Sequence, residues 1–463
     1  MQRLLLHHFI PTLSFTRQYR YPTTFLQYLR NQPEPQHTQL SNGVNVVTMQ
    51  TEGCKACVGI FADIGSRYEL EFENGIAHLF EHIVFKTTKC TSRVNMRRKI
   101  NDLGIKLHAF TTREMVGYYA YCLPENVGDA ITILSECVIN NALADNDICC
   151  EKLTIYEEII KQDTDPKSLV FDYLHSTAFQ GTGLANTVLG TTRNLYNIDR
   201  ALTSQYLLRI MHPCRFCLCA VGAVCHEPIV QLASNFLCWS VPSTCTETLY
   251  RYTGSDVRYR NDAMPKAYVA YALEGPAFSN IDTVFMDLAA TLIGGWDKTQ
   301  IGDQNHGVSV ARRASLGDFC DSYKSFNIKY KDTSLWGVQF ISSTLQLEDM
   351  IYTLQDSLLG ICTIVTEGEL ERAKEQLKSK LLYENSTCYG AAKDLATHML
   401  FNSCQWQAIP DRLAFIDKIS MEDFKSTLYD YIYNKCPVIS AVGPTEGLPD
   451  YIRIRGGQYW LRL

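Results

Sequence analysis

The order of strand-like and helix-like segments occurs twice along this 463-residue chain, and this repetition constrains the fold more than any other feature. In the first half, apolar runs predict strands at 43–48, 56–64, 106–112, 116–122 and 215–224. Apolar residues at helical spacing predict helices at 74–85, 126–140, 146–161 and 227–237.

The second half repeats this order. Strands are predicted at 267–273, on both sides of 326–333 and at 437–443, and helices at 282–292, 347–362 and 367–383. Polar turn residues around 241–249 separate the two halves. We therefore predict an α+β fold with two structurally similar α/β-sandwich domains joined by a linker.

We predict four segments: a targeting arm at 1–34, an N-terminal domain at 35–240, a linker at 241–262 and a C-terminal domain at 263–463. The arm contains four arginines but no acidic residue before Glu34, and apolar residues lie between the arginines. This composition is typical of mitochondrial transit peptides, and an ordinary surface arm is the alternative.

The composition excludes two classes of protein. With 43 basic and 49 acidic residues, the formal net charge is −6, which gives no electrostatic basis for binding nucleic acid. No run approaches 18 uninterrupted apolar residues, so we expect no transmembrane segment.

The 18 cysteines lack the spacing of a small disulfide-linked domain. Two CxxC pairs, Cys54 with Cys57 and Cys214 with Cys217, would together supply the ligands of a four-thiolate zinc site. Each pair lies in a strand-like apolar segment, where cysteine packs as a small buried side chain. We expect reduced cysteines in the core, with metal or redox chemistry as the alternative.

The sequence His78-Leu-Phe-Glu81-His82 carries the strongest chemical signal. Two histidines four residues apart on an α-helix lie on one face, one turn apart, where both imidazoles can bind one metal ion. Glu81 projects from the same turn, where it can take a proton from a metal-bound water. With 11 histidines in the chain, the complete HxxEH string arises by chance with a probability of roughly 1–2%.

A zinc site of this type needs a third protein ligand and leaves one position for water. The helix predicted at 146–161 carries Glu151 and Glu158 on one face, about 10 Å apart along its axis. Either carboxylate can bind the metal while the other orients a ligand or the water. Glu157 points about 100° away and is expected to be solvated.

These residues resemble the inverted-motif zinc peptidases, and within them the group that contains β subunits of mitochondrial processing peptidases and core proteins of the cytochrome bc1 complex. The resemblance extends from about residue 38 to the C-terminus. Besides HLFEH, it includes the strings ADIGSRYE (62–69), FDYLHSTAFQGT (171–182), GGWDK (294–298), SFNIKYKDTSLWG (325–337), AVGPTEGLPD (441–450) and WLR (460–462).

The resemblance implies a clam-like pair of α/β-sandwich domains, with Zn²⁺ held by the catalytic N-terminal domain. By position, it assigns His78, His82 and Glu158 as zinc ligands. It assigns Glu81 as the general base and Glu151 as a supporting catalytic glutamate.

The resemblance also implies a substrate-binding surface. Phe85 corresponds to the aromatic residue that lines the pocket for the residue after the scissile bond. His108, Ala109 and Phe110 correspond to the sheet edge on which the substrate adds as a strand, which binds an extended peptide without demanding one sequence. Asp172 corresponds to one of two acidic positions that bind a substrate arginine.

His108 stands where the family usually has asparagine, and its imidazole would bind substrate or a proton, or fill space. The second acidic position falls on Ser168, beside Lys167. Because a charge-assisted hydrogen bond contributes about 1.5–3 kcal/mol, we expect the preference for arginine to fall about tenfold or more. Tyr323 or Tyr330 is a candidate to reach the substrate carbonyl.

The resemblance thus implies a zinc metalloendopeptidase that cleaves N-terminal presequences from imported proteins in the matrix of a mitochondrion or a related organelle. The glycine-rich loop of the inactive α-type subunits is missing, so we expect the catalytic type, working with an α-type partner or alone. The main alternative is a non-catalytic core subunit of the bc1 complex. A degradative peptidase, typical of chains twice this long, is a third possibility.

Overall fold

The computed structural model describes residues 33–237, 249–300, 305–402 and 405–459. Nearly all of the predicted targeting arm, part of the predicted linker and the WLR string lie outside these residues. The boundaries of the four predicted segments therefore remain predictions.

A mixed six-stranded sheet forms the centre of the N-terminal half. Its strands are β1 (Gln36–Gln39), β2 (Asn45–Gln50), β3 (Ala56–Ala62), β4 (Lys106–Thr111), β5 (Val116–Cys122) and β6 (Phe216–Gly222). They lie in the order β1-β2-β6-β3-β5-β4, in which β2 and β6 are parallel and all other neighbours are antiparallel. The helices are α1 (Ile76–Ile83), α2 (Arg93–Asp102), α3 (Val127–Ile139), α4 (Asp145–Thr164), α5 (Pro166–Ala178), α6 (Thr192–Asn197), α7 (Arg200–Ile210) and α8 (His226–Phe236).

A second six-stranded sheet forms the centre of the C-terminal half. Its strands are β7 (Asp256–Arg260), β8 (Ala267–Gly275), β9 (Gly295–Asp297), β10 (Ser322–Lys329), β11 (Ser334–Ser342) and β12 (Val438–Gly443). Their order is β7-β12-β8-β11-β10-β9, with only β7 and β12 parallel. The helices are α9 (Thr283–Ile293), α10 (Ser309–Gly317), α11 (Leu347–Thr363), α12 (Glu367–Glu384), α13 (Cys388–Phe401), α14 (Ile409–Lys418), α15 (Met421–Ile432) and α16 (Tyr451–Gly456).

The two sheets have the same topology over five strands. Strands β2, β6, β3, β5 and β4 correspond to β7, β12, β8, β11 and β10 in order and direction. Strand β6 ends at Gly222 with φ +140°, and β12 ends at Gly443 with φ +115°. At either glycine, a Cβ would lie 2.7 Å from the carbonyl oxygen of a lysine, Lys55 or Lys266. The prediction of two similar α/β halves is confirmed.

The sheets differ at one edge. In the C-terminal sheet the short strand β9 pairs antiparallel with β10 and covers its outer edge. In the N-terminal sheet the equivalent strand β4 has β5 as its only partner among the described strands, which makes it an edge strand there. An edge strand presents unpaired backbone groups that can accept a further strand.

Each half contributes one helix to the sheet of the other half. Helix α5 packs Val170 and Leu174 against Ala270 of the C-terminal sheet. Helix α13 packs Ala392 and Leu395, among others, against the N-terminal sheet. These exchanged contacts bury apolar surface that neither half could cover alone, and the described residues form one compact unit.

The sequence patterns place most elements within a few residues. Strand β5 occupies the predicted range 116–122, and α3 lies within the predicted 126–140. Among the described elements, strands β1, β7 and β9 and nine helices were not predicted. Helices α5 and α13, which pack on the sheet of the other half, are two of these nine. Among the described helices, none has both the length and the apolar character needed to cross a bilayer.

The CxxC cysteines divide between core and surface. Cys57 lies in β3 and Cys217 in β6, and both are buried, as the core interpretation predicts. Cys54 and Cys214 are exposed. Burial raises the pKa of the Cys57 thiol to about 12, so the reactive thiolate is disfavoured there.

Candidate metal centre

Helix α1 carries the HLFEH sequence, and a buried carboxylate fixes its N-terminus. The chain enters the helix through Gly75, whose φ of +106° is a conformation that favours glycine. The Glu69 carboxylate accepts hydrogen bonds from the backbone N–H groups of Gly75 at 2.9 Å and Ala77 at 2.7 Å. An acceptor with negative charge stabilises the orphan N–H groups of a helix start.

The apolar residues of α1 determine which face the histidines occupy. Ile76, Leu79, Phe80 and Ile83 are buried in the core of the N-terminal half. His78 and His82 therefore lie on the other face, and that face packs against α4. The predicted helix, 74–85, is correct apart from its ends, which the structure places at 76 and 83.

Three ligand atoms converge between α1 and α4. His78 Nε2 lies 3.2 Å from His82 Nε2 and 3.0 Å from Glu158 Oε2, and His82 Nε2 lies 3.3 Å from the same Glu158 oxygen. Zinc bonds of about 2.0 Å in a tetrahedron give ligand–ligand separations of about 3.3 Å. Two imidazoles and a carboxylate at these separations fit a zinc ion with one open position. Among the described residues, this is the one His/Cys/Asp/Glu cluster that could hold a metal ion.

The electrostatics of this space favour a cation. Burial lowers the pKa of His78, but the carboxylates of Glu81 and Glu158 outweigh it and raise the pKa above the ordinary value. The Glu158 side chain is 41% exposed, so the site is open to water on one side. The site therefore attracts positive charge and remains accessible to a ligand.

Glu81 is placed beside the three converging atoms. Its Oε2 lies 3.5 Å from His78 Nδ1. Burial opposes ionisation of this carboxyl, but the neighbouring His78 and Thr111 side chains lower its pKa below the ordinary value. Glu81 is therefore ionised at neutral pH, as a base must be. Thr111 is the last residue of β4, so the edge strand reaches the site.

Glu151 contacts His82 from α4. Its Oε2 lies 3.2 Å from His82 Nδ1, and its Oε1 pairs with the ammonium group of Lys86. Burial opposes ionisation of Glu151, but Lys86 and then His82 lower its pKa. Glu157 on the same helix is exposed.

The residues predicted to bind substrate lie around the edge strand. Phe85 follows α1, and its ring stands edge-on to Tyr118 at 6.4 Å. His108, Ala109 and Phe110 lie in β4. The His108 ring is exposed and stacks on Tyr119 at 5.3 Å.

Asp172 already has partners within the chain. Its Oδ1 pairs with Arg113 at 2.6 Å, and its Oδ2 accepts a hydrogen bond from Gln162. Ser168 donates to Asp165 Oδ2 at 2.6 Å, at the start of α5. The assignment of Asp172 to substrate binding therefore remains a prediction, for a carboxylate that is occupied in this conformation.

Both tyrosine candidates are buried. The Tyr330 hydroxyl contacts His175 Nε2 at 2.7 Å, and the Tyr323 hydroxyl donates to the Ile293 carbonyl at 3.2 Å. In this conformation neither hydroxyl is available to a substrate carbonyl. The roles suggested for the two tyrosines are not supported.

Sequence reasoning did not identify three residues that support the site. Glu69 caps α1, Lys86 holds Glu151, and Thr111 lowers the pKa of Glu81. Only Glu69 had a signal, because it ends the string ADIGSRYE, which was noted for its resemblance and not for a role. The other two depend on contacts between separate elements.

Comparisons with known proteins give the family. Residues 45–192 match the family described as "Insulinase (Peptidase family M16)", and residues 197–377 match "Peptidase M16 inactive domain". A "Mitochondrial-processing peptidase subunit beta" from Rattus norvegicus is 36% identical over 441 residues, which cover 94% of this chain and 90% of that protein.

The chain belongs to peptidase family M16. A "Cytochrome b-c1 complex subunit 1, mitochondrial" from Mus musculus is 35% identical over 451 residues, which cover 95% of this chain and 92% of that protein. M16 members with peptidase and with bc1-complex names are therefore similarly close. The recognition made from sequence, which names both, is confirmed.

A solved structure supports the fold. The chain matches one in "Complex III2 from Candida albicans, Inz-5 bound" with a TM-score of 0.83 and 24% identity, covering 92% of this chain and 100% of that chain. At this identity the match shows the two-domain α/β fold and carries no argument about activity.

Proposed function

We propose that this M16 chain is a zinc metalloendopeptidase that removes N-terminal targeting presequences from proteins imported into mitochondria or a related organelle. The observation that carries the proposal is the convergence of His78 Nε2, His82 Nε2 and Glu158 Oε2 at zinc-ligand separations. Glu81 lies beside them as an ionised base. All five polar residues of the predicted site are present.

In this proposal the chain's own residues orient the reactants and move the proton. His78, His82 and Glu158 would hold the metal, and Glu151 fixes His82. Zinc would supply Lewis-acid polarisation of the scissile carbonyl and acidify the attacking water. Glu81 takes the proton of that water and delivers it to the leaving amine.

The open edge of β4 is the proposed substrate platform. An extended peptide adds to β4 as an antiparallel or parallel strand through backbone hydrogen bonds. Thr111 at the end of β4 approaches Glu81, so a peptide on His108, Ala109 and Phe110 would pass the metal centre. Phe85 would line the pocket for the residue after the scissile bond.

The names of the relatives support the mitochondrial assignment, and the proposed compartment is the matrix. An α-type processing-peptidase subunit is the proposed partner unless the chain acts alone. The alternative function is that of a non-catalytic core subunit of the cytochrome bc1 complex. The similar identity of the bc1 subunits favours this alternative, and the intact metal cluster favours the peptidase.

The test uses the purified chain and one presequence-bearing precursor. Bound zinc is quantified, and cleavage is followed with and without a zinc chelator. A Glu81→Gln variant is the matched control, because it keeps the shape of the side chain and removes the base. Each assay is repeated with an added α-type subunit.

The proposal predicts chelator-sensitive cleavage that disappears in Glu81→Gln, whereas zinc remains bound. Cleavage only with the α-type subunit would establish the peptidase as a heterodimer. A chain that binds no zinc and cleaves no precursor, with or without the α-type subunit, would favour the core-subunit alternative.

A further inference from the structure

Lys86 begins a chain of contacts that ends at the metal centre. The residue lies just past the C-terminus of α1, where a cation is also favoured by the helix dipole. Its ammonium group pairs with Glu151 Oε1. The other carboxylate oxygen, Oε2, lies 3.2 Å from His82 Nδ1. His82 then faces Glu158 and His78 with its second nitrogen.

The three side chains are shielded from water. Lys86, Glu151 and His82 keep only 15%, 16% and 17% of their side-chain surface exposed. Within the described part of the chain, Lys86 makes no other ion pair, and Glu151 pairs only with Lys86 and His82. Low exposure makes such charge-assisted contacts stronger than those on an open surface.

This arrangement determines which ring nitrogen of His82 carries the proton. When Glu151 accepts a hydrogen bond from Nδ1, the proton resides on Nδ1 and the lone pair on Nε2. Nε2 is the atom that lies 3.2 Å from His78 Nε2. Because Lys86 occupies one carboxylate oxygen, the other stays directed at the His82 ring. Without Lys86, the carboxylate is free to turn away from His82.

We infer that Lys86 is a positioning residue of the metal centre, which holds Glu151 so that Glu151 presents His82 Nε2 to the metal. The inference rests on the proposed zinc site. Replacing a residue that orients a metal ligand without binding the metal itself typically changes metal affinity by 10–100-fold. Lys86 is expected to act at this level although it touches no ligand atom itself.

A purely structural role is the competing explanation, because Lys86 also links α1 to α4. Such a role would change the stability of the apo chain and leave the zinc affinity of the folded protein unchanged. The positioning role changes the affinity itself. Zinc affinity therefore separates the two explanations, and it does so without an activity assay.

The experiment measures the zinc dissociation constant of the full chain by competition with a chromophoric chelator. The variants are Lys86→Met, Lys86→Arg and the control Lys89→Met, which removes an exposed lysine from the same loop. The Co²⁺ absorption spectrum of each variant reports the coordination geometry. Lys86→Met is also combined with Glu151→Gln, because two residues that act in series give non-additive effects.

We expect Lys86→Met to weaken zinc binding by about 10–100-fold and to change the Co²⁺ spectrum. Lys86→Arg should restore both, and Lys89→Met should resemble the wild type. In the Glu151→Gln background, Lys86→Met should have little further effect. Wild-type zinc affinity in Lys86→Met, or full additivity with Glu151→Gln, would overturn the role inferred for Lys86. The proposed function would not be affected by that result. A wild-type chain without zinc affinity would instead overturn the proposed function.

Discussion

The Glu69 carboxylate accepts a 2.7 Å hydrogen bond from the backbone N–H of Ala77 and thereby anchors the first turn of the helix that carries the histidines of the proposed metal site. Glu69 is buried, and burial raises its pKa to about 7 in spite of the hydrogen bonds that oppose this shift. The cap is thus an energetically costly group placed where it holds α1 in position.

Replacing Glu69 with alanine should destabilise the chain and disturb the metal site. The substitution leaves the buried N–H groups of Gly75 and Ala77 without their acceptor, which costs about 1–3 kcal/mol. Urea unfolding of the apo protein measures this cost, and chelator competition measures zinc affinity. Glu71→Ala is the control, because Glu71 is nearby but exposed. Equal stability of the two variants would contradict the capping role.

The two halves are joined by a buried cation. Arg67 pairs with Glu114 in the β4–β5 turn and lies 2.7 Å from Asp332 in the β10–β11 turn. Removing one partner of a buried pair leaves an uncompensated charge and costs about 3–5 kcal/mol. We therefore expect Arg67→Met to lower the free energy of unfolding by this amount.

Asp332→Asn provides the comparison, since the Asp332 side chain is 33% exposed and can be solvated. This variant should cost much less than Arg67→Met. Both are measured by chemical unfolding at pH 7. Equal stability of the two variants would show that burial of the Arg67–Glu114 pair does not account for the loss of stability in Arg67→Met.

His175 gives the chain a predictable pH dependence. The residue is buried, its Nδ1 donates to the Phe171 carbonyl and its Nε2 accepts from Tyr330. Burial, with a smaller effect from Arg113, lowers the His175 pKa well below its ordinary value. Below about pH 6.5 the unfolded chain binds a proton that the folded chain does not bind.

The free energy of unfolding should therefore fall as the pH decreases below about 6.5, by about 1.4 kcal/mol per pH unit for this proton. His175→Gln should remove this contribution between about pH 5 and 6.5. Exposed His37→Gln should keep the wild-type slope. Unfolding curves at three pH values give the slopes, and an unchanged slope in His175→Gln would disprove the assignment.

Substrate selection should depend only weakly on arginine near the cleavage site. Asp172 is occupied by Arg113 and Gln162, and Ser168 stands where the family has a second acidic residue. Because no carboxylate pair is available, we expect matched peptides with arginine or alanine to be cleaved at rates within about tenfold of each other.

The matched variant is Ser168→Glu, which restores a second carboxylate and should raise the arginine preference. The measurement is kcat/KM for both peptides with both enzymes. A strong preference for arginine in the wild type would show that Asp172 releases Arg113 and binds the substrate arginine instead.

The parts of this fold that the sequence predicts are those determined locally. Strand β5 and helix α3 follow from residues that alternate or recur at helical spacing within one segment. The two histidines of the proposed metal site follow from the four-residue spacing of His78 and His82. Glu158 required either a resemblance or the structure, because sequence spacing alone left Glu151 and Glu158 as alternatives.

The remaining features depend on contacts between distant segments. Helix α5 has buried residues that face the sheet of the other half, and no local pattern gives the identity of that sheet. Lys86 and Thr111 act on Glu151 and Glu81 only because α1, α4 and β4 meet at one place. The Asp172–Arg113 pair is likewise a tertiary contact, invisible in the spacing of the two residues.

The exchange of α5 and α13 has a consequence for synthesis of the chain. The N-terminal sheet is complete at Gly222, but the helix that covers its second face begins at Cys388, 388 − 222 = 166 residues later. At about 5–20 residues per second, the ribosome needs roughly 8–33 s to make that stretch. During this interval apolar side chains that pack against α13 in the folded chain, such as Val47 and Phe61, lack that helix as a partner. We therefore expect the nascent chain to need protection from aggregation until α13 has been made.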